Sequence, residues 1–148
     1  MLDIKSIKFE IATPEKVLMK EEVLSVSVPT TSGELTILPD HIPLISILKS
    51  GVLEIHLLDG GISLMSVSGG FLEVLKNKIV ILADTAEKAE ELNEQRIKEA
   101  RLKAEEMRQS EKAKDEVEFV NISSRIEKEL ARERALNKWR KLKGPKNE

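Results

Sequence analysis

Ile79-Val80-Ile81-Leu82-Ala83-Asp84-Thr85-Ala86-Glu87-Lys88-Ala89-Glu90 holds the change of pattern that decides the fold. Up to Ala83 the residues are continuously apolar, which reads as a strand covered on both faces. Beyond Thr85 the period changes: Ala86, Ala89, Asn93, Ile97, Ala100, Ala104 and Met107 recur every three or four positions, on one stripe of a helix. Composition breaks at the same place. Residues 1–84 hold six of the seven glycines, four of the five prolines and no arginine, with 7 Lys against 11 Asp/Glu; residues 85–148 carry 17 Lys/Arg against 15 Asp/Glu. The expected architecture is therefore two units, 1–84 and 85–148, of an α+β chain.

The first unit reads as short strands. Ile7, Phe9 and Ile11 alternate with Lys8 and Glu10; Leu24, Val26 and Val28 with Ser25 and Ser27; Leu53, Ile55 and Leu57 with Glu54 and His56. A period of two marks a half-buried strand. Ser32-Gly33, Asp59-Gly60-Gly61 and Lys76-Asn77-Lys78 supply the turns, and Asp59-Gly60 is a strong hairpin signal because primed turns need residues that tolerate positive φ. Strands at this spacing predict a sandwich or flattened barrel. Gly69-Gly70 lacks phosphate-loop spacing and predicts a bulge or a close backbone approach.

The second unit reads as a helical hairpin. Glu87, Glu90 and Glu91 suit the start of its first helix through the helix dipole. The pattern fades over Gln109–Glu118 and resumes at Phe119, Ile122, Ile126, Leu130, Leu136 and Trp139, with Asn121 or Ser123 as cap and Gly144-Pro145 as stop. The first stripe is mostly alanine. Each buried alanine contributes far less than the ~1.5–3 kcal/mol of a buried leucine or isoleucine. The hairpin has little core of its own, as a detachable element requires.

Much chemistry is excluded. The chain has no cysteine, so disulfides, thiol catalysis and thiolate metal sites are out. Two histidines, His41 and His56, are too few for a histidine-rich metal site, and no Gly-x-Ser-x-Gly nucleophile turn occurs. No run approaches ~18 apolar residues, so no membrane span is expected. Met1-Leu2-Asp3-Ile4-Lys5 reads as mature chain, because it lacks the long apolar region of a signal peptide. From Arg125 to Glu148 there are nine Lys/Arg and four Glu. Two readings stand: a contact for an acidic partner, or a solvated helix laced by its own pairs. Nucleic acid fits poorly, because no aromatics interleave with the basic residues. These patterns favour an interaction protein, and one form of it is a free-standing β-sandwich adaptor whose basic helix docks an acidic protein or nucleic acid.

Three segments are more specific: Ser32-Gly33-Glu34-Leu35-Thr36-Ile37-Leu38-Pro39-Asp40-His41-Ile42-Pro43-Leu44, Ser68-Gly69-Gly70-Phe71-Leu72-Glu73-Val74, and Val80-Ile81-Leu82-Ala83-Asp84-Thr85-Ala86-Glu87. In order and spacing they resemble the epsilon subunit of bacterial F-type ATP synthases, and the resemblance extends over the helical tail. It implies a ten-stranded β-sandwich followed by a two-helix hairpin. It implies a non-catalytic rotor subunit with no metal and no required cofactor, peripheral on the cytoplasmic face of the bacterial inner membrane. The partners it implies are the gamma subunit and the c-ring, with no direct membrane insertion. Glu34 and His41 then become c-ring contacts, against the plainer reading that His41 and the prolines only shape a turn. In that family the hairpin, when extended, meets the alpha and beta subunits and blocks ATP hydrolysis. Arg125, Arg132, Arg134, Lys138 and Arg140 become the inhibitory basic contacts.

Some members of that family bind ATP on the folded-down hairpin, through an Ile/Leu-Asp-x-x-Arg-Ala pattern. Here the segment reads Leu92-Asn93-Glu94-Gln95-Arg96-Ile97: Asn93 replaces the aspartate and Ile97 the alanine. The resemblance implies a weak regulatory ATP site at Glu87, Asn93, Arg96, Arg134 and Lys138, beside the alternative of a simple packing stripe.

Overall fold

A computed structural model describes residues 4–110 and 116–144. Nine strands come first: β1 (Ile7–Ala12), β2 (Val17–Thr30), β3 (Gly33–Ile37), β4 (Leu44–Leu48), β5 (Gly51–Leu57), β6 (Ile62–Val67), β7 (Gly70–Leu75), β8 (Lys78–Ala83) and β9 (Ala86–Lys88). A 3-10 turn, Ala89–Glu91, leads into α1 (Glu94–Ser110) and α2 (Glu116–Lys143). The resemblance implied ten strands. Nine are distinct among the described residues because β2 runs unbroken for 14 residues, where a break would make two. Its first half pairs with β1 and its second half with β3 and β5.

β2 is thus the corner of the sandwich. The order β1-β8-β7-β4-β2 closes on itself through the β1–β2 pairing, while β5, β6 and β9 continue from β2 as the other layer. Between the layers lie Ile7, Phe9 and Ile11 of β1, Val26 and Val28 of β2, Leu53 and Ile55 of β5, and Ile79 and Ile81 of β8. The period-two residues of β1 and β5 therefore face the core. In β2 the pairing with β5 shifts between Val23 and Ser25, so Val23, and not the predicted Leu24, joins the buried set. Such an irregularity reverses which residues face in. Thr30, fully buried where β2 meets β4, donates its hydroxyl to the Gly33 carbonyl at 2.5 Å, which offsets its burial.

The Asp59-Gly60-Gly61 turn forms as predicted. Gly60 has φ 89°, and the Gly61 amide donates to Asp59 Oδ1 at 2.7 Å. The close approach expected at Gly69-Gly70 falls on Gly70: a Cβ there would lie 2.1 Å from the Leu82 carbonyl oxygen, at φ +121°. Two expectations fail nearby. The Ile79–Ala83 run is covered on one face only, since Leu82 is exposed and Val80 half-exposed. The predicted helical stripe opens instead as β9, with Ala86 opposite Val67 and Glu87 opposite Ser66. The edge of β6 needs hydrogen-bond partners, and sheet pairing satisfies them where a helix would not.

The first helix therefore starts at Glu94, with Asn93 just before it; the Arg96 amide donates to Asn93 Oδ1 at 3.1 Å. α2 already runs at Glu116, so Asn121 and Ser123 lie inside it and cap nothing. Its first turns are exposed, Phe119 included, and the contact with α1 is made by Ile122, Ile126 and Leu130 against Ala104. Gly144 ends α2 at φ 68°, its amide bonded to the Arg140 and Lys141 carbonyls at 3.1 Å each. Pro145 lies outside the described residues.

Candidate functional site

The seam between α2 and the sandwich gathers most of the charged residues singled out above. α2 is the helix that rests on the sheet, over β5 and β6, and α1 packs on α2. The apolar part of the seam is small: Leu64, Ala89 and Ala135, with Val52, Leu92 and Trp139 around them. From α2 it takes only Ala135, which buries little area, and the half-buried Trp139, so the apolar contact that holds α2 is small.

Ion pairs join α2 to the sheet and to α1. Arg132 donates from Nε to Glu87 Oε1 at 2.7 Å and from Nη1 to Glu129 Oε1 at 2.6 Å, and Nη2 also bonds Glu87. Arg140 donates to Glu94 at 2.9 Å. Arg101 on α1 bonds Glu133 on α2, and Lys138 bonds Glu54 on β5. Glu54 also meets His56 Nε2 at 2.9 Å. The Lys138 ammonium, aided by His56 and opposed by desolvation, holds the Glu54 carboxyl below its ordinary range. Glu94 is lowered likewise, by Arg140 first and Lys98 second. Of the pairs that α2 makes here, only Arg132–Glu129 lies within the helix; those to Glu87, Glu54, Glu94 and Arg101 are tertiary.

The five residues named for ATP do not meet in one place. Glu87, Asn93 and Arg96 line a cavity of about 300 Å³ with Glu91, Leu92, Ile97, Ala100, Glu129 and Arg132. Arg134 and Lys138 lie elsewhere: Arg134 is exposed with no ion pair among the described residues, and Lys138 holds Glu54. The cation that α2 does supply is Arg132. It stands two residues, about 200° of helical turn, from Arg134, so it faces a different way. Three carboxylates against two guanidinium groups do not suit a triphosphate. Glu129 is 7% exposed, and its Oε2 receives no hydrogen bond from the described residues. Asn93 spends its acceptor on the helix cap, and Ile97 is buried where the family pattern has alanine.

On the far layer the outer face of the sheet is apolar. Ile47 lies opposite Phe71, and Phe71 opposite Leu82. With Ile45 they form one exposed patch, the four residues being 54–74% exposed.

A family model described as "ATP synthase, Delta/Epsilon chain, beta-sandwich domain" matches residues 6–89, which is β1 through β9. An ATP synthase epsilon chain from Herpetosiphon aurantiacus is 42% identical over 120 residues, 80% of this chain and 87% of the relative. One from Desulforamulus reducens is 41% identical over 80% of this chain and 89% of its own length. The chain belongs to the ATP synthase epsilon chain family. A chain in the cryo-EM structure of the Euglena gracilis mitochondrial ATP synthase superposes with TM-score 0.77 at 24% identity, over 88% of this chain and 81% of that one. A chain of the Tetrahymena thermophila central stalk and c-ring gives 0.60 at 16%, over 87% and 95%. At these identities the superpositions speak for the fold.

In this epsilon-family chain Glu34 and His41 are well separated along the chain path. Glu34 is exposed at the start of β3, with no side-chain partner among the described residues. His41 follows the other end of β3, in the turn 38–43, where its Nδ1–H donates to the Ile42 carbonyl at 2.7 Å. It borders a shallow cavity of about 650 Å³ with Lys5, Asp40, Lys76 and Asn77. Asp40, at φ 67°, is bonded by Lys5 at 3.0 Å. Among the described residues no cluster of three or more His, Asp or Glu could hold a metal ion, and no helix is long and apolar enough to cross a membrane.

The pattern of the basic helix marks Glu129 and Glu133 as acids for pairs within it; Glu129 does bond Arg132, while Glu133 bonds Arg101 of α1. The residues that sequence reasoning missed are Glu54, Glu94 and Arg101. Each is an ordinary polar position in its own element. Glu54 differs from any exposed strand glutamate only because Lys138, 84 residues away, lands beside it.

Proposed function

We propose that this chain is a non-catalytic subunit of the central stalk of a bacterial F-type ATP synthase, on the cytoplasmic face of the inner membrane. Its sandwich joins the gamma subunit to the c-ring. Its helical hairpin, when it leaves the sandwich and extends toward the alpha and beta subunits, brakes ATP hydrolysis. No cofactor is required for this.

The seam carries the reading. A helix of 28 residues rests on the sheet through one small apolar cluster and two ion pairs, Arg132–Glu87 and Lys138–Glu54. The two states of a switch must differ by only a few kcal/mol, and a large apolar seam would forbid that. Extension would free Arg132 and Lys138 from Glu87 and Glu54 of the sheet and present them, with Arg125, Arg134 and Arg140, to acidic surfaces. The patch of Ile45, Ile47, Phe71 and Leu82 suits the contact with gamma, since an exposed apolar face of a sheet ordinarily marks a protein interface. Glu34 and His41 are the residues we place against the c-ring.

Truncation after Glu91 tests the brake. It removes both helices and keeps β9 and the turn that completes the sheet edge. In the reconstituted complex, ATP hydrolysis should rise while assembly persists; unchanged hydrolysis would remove the brake from this account.

A further inference from the structure

We propose that Arg132 is an internal bolt: its guanidinium, in the wall of the cavity beside Asn93 and Arg96, is taken up by the chain's own carboxylates, so that the docked hairpin is held without a nucleotide and is released by ionic strength. This inference concerns the docked state of the chain alone and does not depend on the brake.

The geometry is specific. A guanidinium offers a planar fork of donors and matches carboxylates in a way an ammonium does not. Arg132 spends Nε and Nη2 on Glu87 of β9 and Nη1 on Glu129 of its own helix. Glu87 belongs to the sheet, so this one side chain ties α2 to the sandwich. The same cavity would have to supply cations to a triphosphate, and its α2 cation is already neutralised by two acids. Glu91 and Glu129 in the lining add negative charge to the space, and the buried Oε2 of Glu129 has no hydrogen-bond partner among the described residues. Phosphate oxygens entering there would find one guanidinium unpaired among the described residues, that of Arg96, against the three carboxylates of Glu87, Glu91 and Glu129. The bolt also explains why Glu129 is tolerated in the seam: removing Arg132 would leave a buried carboxylate uncompensated, the costly case for a partly buried ion pair.

Trp139 is the only tryptophan and half-buried in the seam, so its emission reports docking in the full-length chain. Amide hydrogen exchange over α1 and α2, with β1, β5 and β8 as internal controls, gives a second readout. In the wild type, millimolar ATP should leave Trp139 emission and exchange unchanged, and raising KCl should shift the emission red as the ion pairs are screened. Arg132→Gln should speed exchange across both helices by about tenfold or more, leave the controls unchanged, and blunt the salt response. Arg132→Lys, which keeps the charge and loses the fork, should fall nearer to Gln than to wild type. A saturable ATP effect on the wild type would overturn the proposal. So would a wild-type salt response in Arg132→Gln, unchanged exchange in both variants, or an emission that is solvent-like at every salt concentration.

Discussion

Lys138, near the end of α2, bonds Glu54 in the middle of β5, and Glu54 turns its other oxygen to His56 at 2.9 Å. One carboxylate of the sheet is thereby shared between a cation of the helix and an imidazole of its own strand. It is the far anchor of a helix whose nearer anchor is Arg132 on Glu87.

This anchor has a pH signature. The Glu54 carboxyl is held below its ordinary 4.5, chiefly by Lys138. A lowered carboxylate stabilises the docked state fully above that ordinary value, and the contribution is lost as pH falls through the lowered one. Trp139 emission should therefore report loosening of the hairpin on the acid side of pH 4.5. Glu54→Gln should already be looser at neutral pH and should lack that part of the acid response. An unaltered acid profile in Glu54→Gln would show that other carboxylates release the helix.

Asn93 acts through its side-chain oxygen as a cap, at 3.1 Å from the Arg96 amide. Asn93→Ala should cost about 1 kcal/mol and fray the first turn of α1, while Asn93→Asp should keep the cap and gain from the helix dipole. Circular dichroism and exchange at Arg96 and Ile97 would check the order Asp at least equal to Asn, with Ala below both. Equal stability of the three would remove the cap.

At Gly70 any side chain meets backbone. The Leu82 carbonyl oxygen stands 2.1 Å from where Cβ would go, and φ is +121°. Gly70→Ala should lower stability by on the order of 3 kcal/mol or more, because the β7–β8 pairing must open to admit it. The urea midpoint of the isolated chain is the measurement. At Gly60, where φ is also positive but nothing lies within 4 Å, the same change should cost less.

Phe71 and Leu82 face each other on the outer sheet, and both are exposed. Replacing the pair by serine should leave the fold intact, since neither contributes to the core. Binding to an isolated gamma subunit should weaken by at least about tenfold, as aromatic and aliphatic anchors of an interface do. Undiminished binding would move the gamma contact to another face.

By itself the sequence determined the kind of fold. Period-two alternation placed β1 and β5, turn chemistry placed the hairpins, and the composition break announced a basic helical tail. These are local properties: each is set by a residue and its neighbours within one element. What local pattern could not determine was decided by partners distant along the chain. β9 is a strand because the edge of β6 needed hydrogen bonds, although its spacing suits a helix equally. Leu82 is exposed because no second layer covers the outer face of β8, which an apolar run cannot reveal. Arg132 and Arg134 are alike in sequence, two residues apart on a basic helix. Only docking of α2 on the sheet turned one guanidinium toward Glu87 and left the other in solvent, because 100° of rotation per residue sends alternate positions to opposite sides.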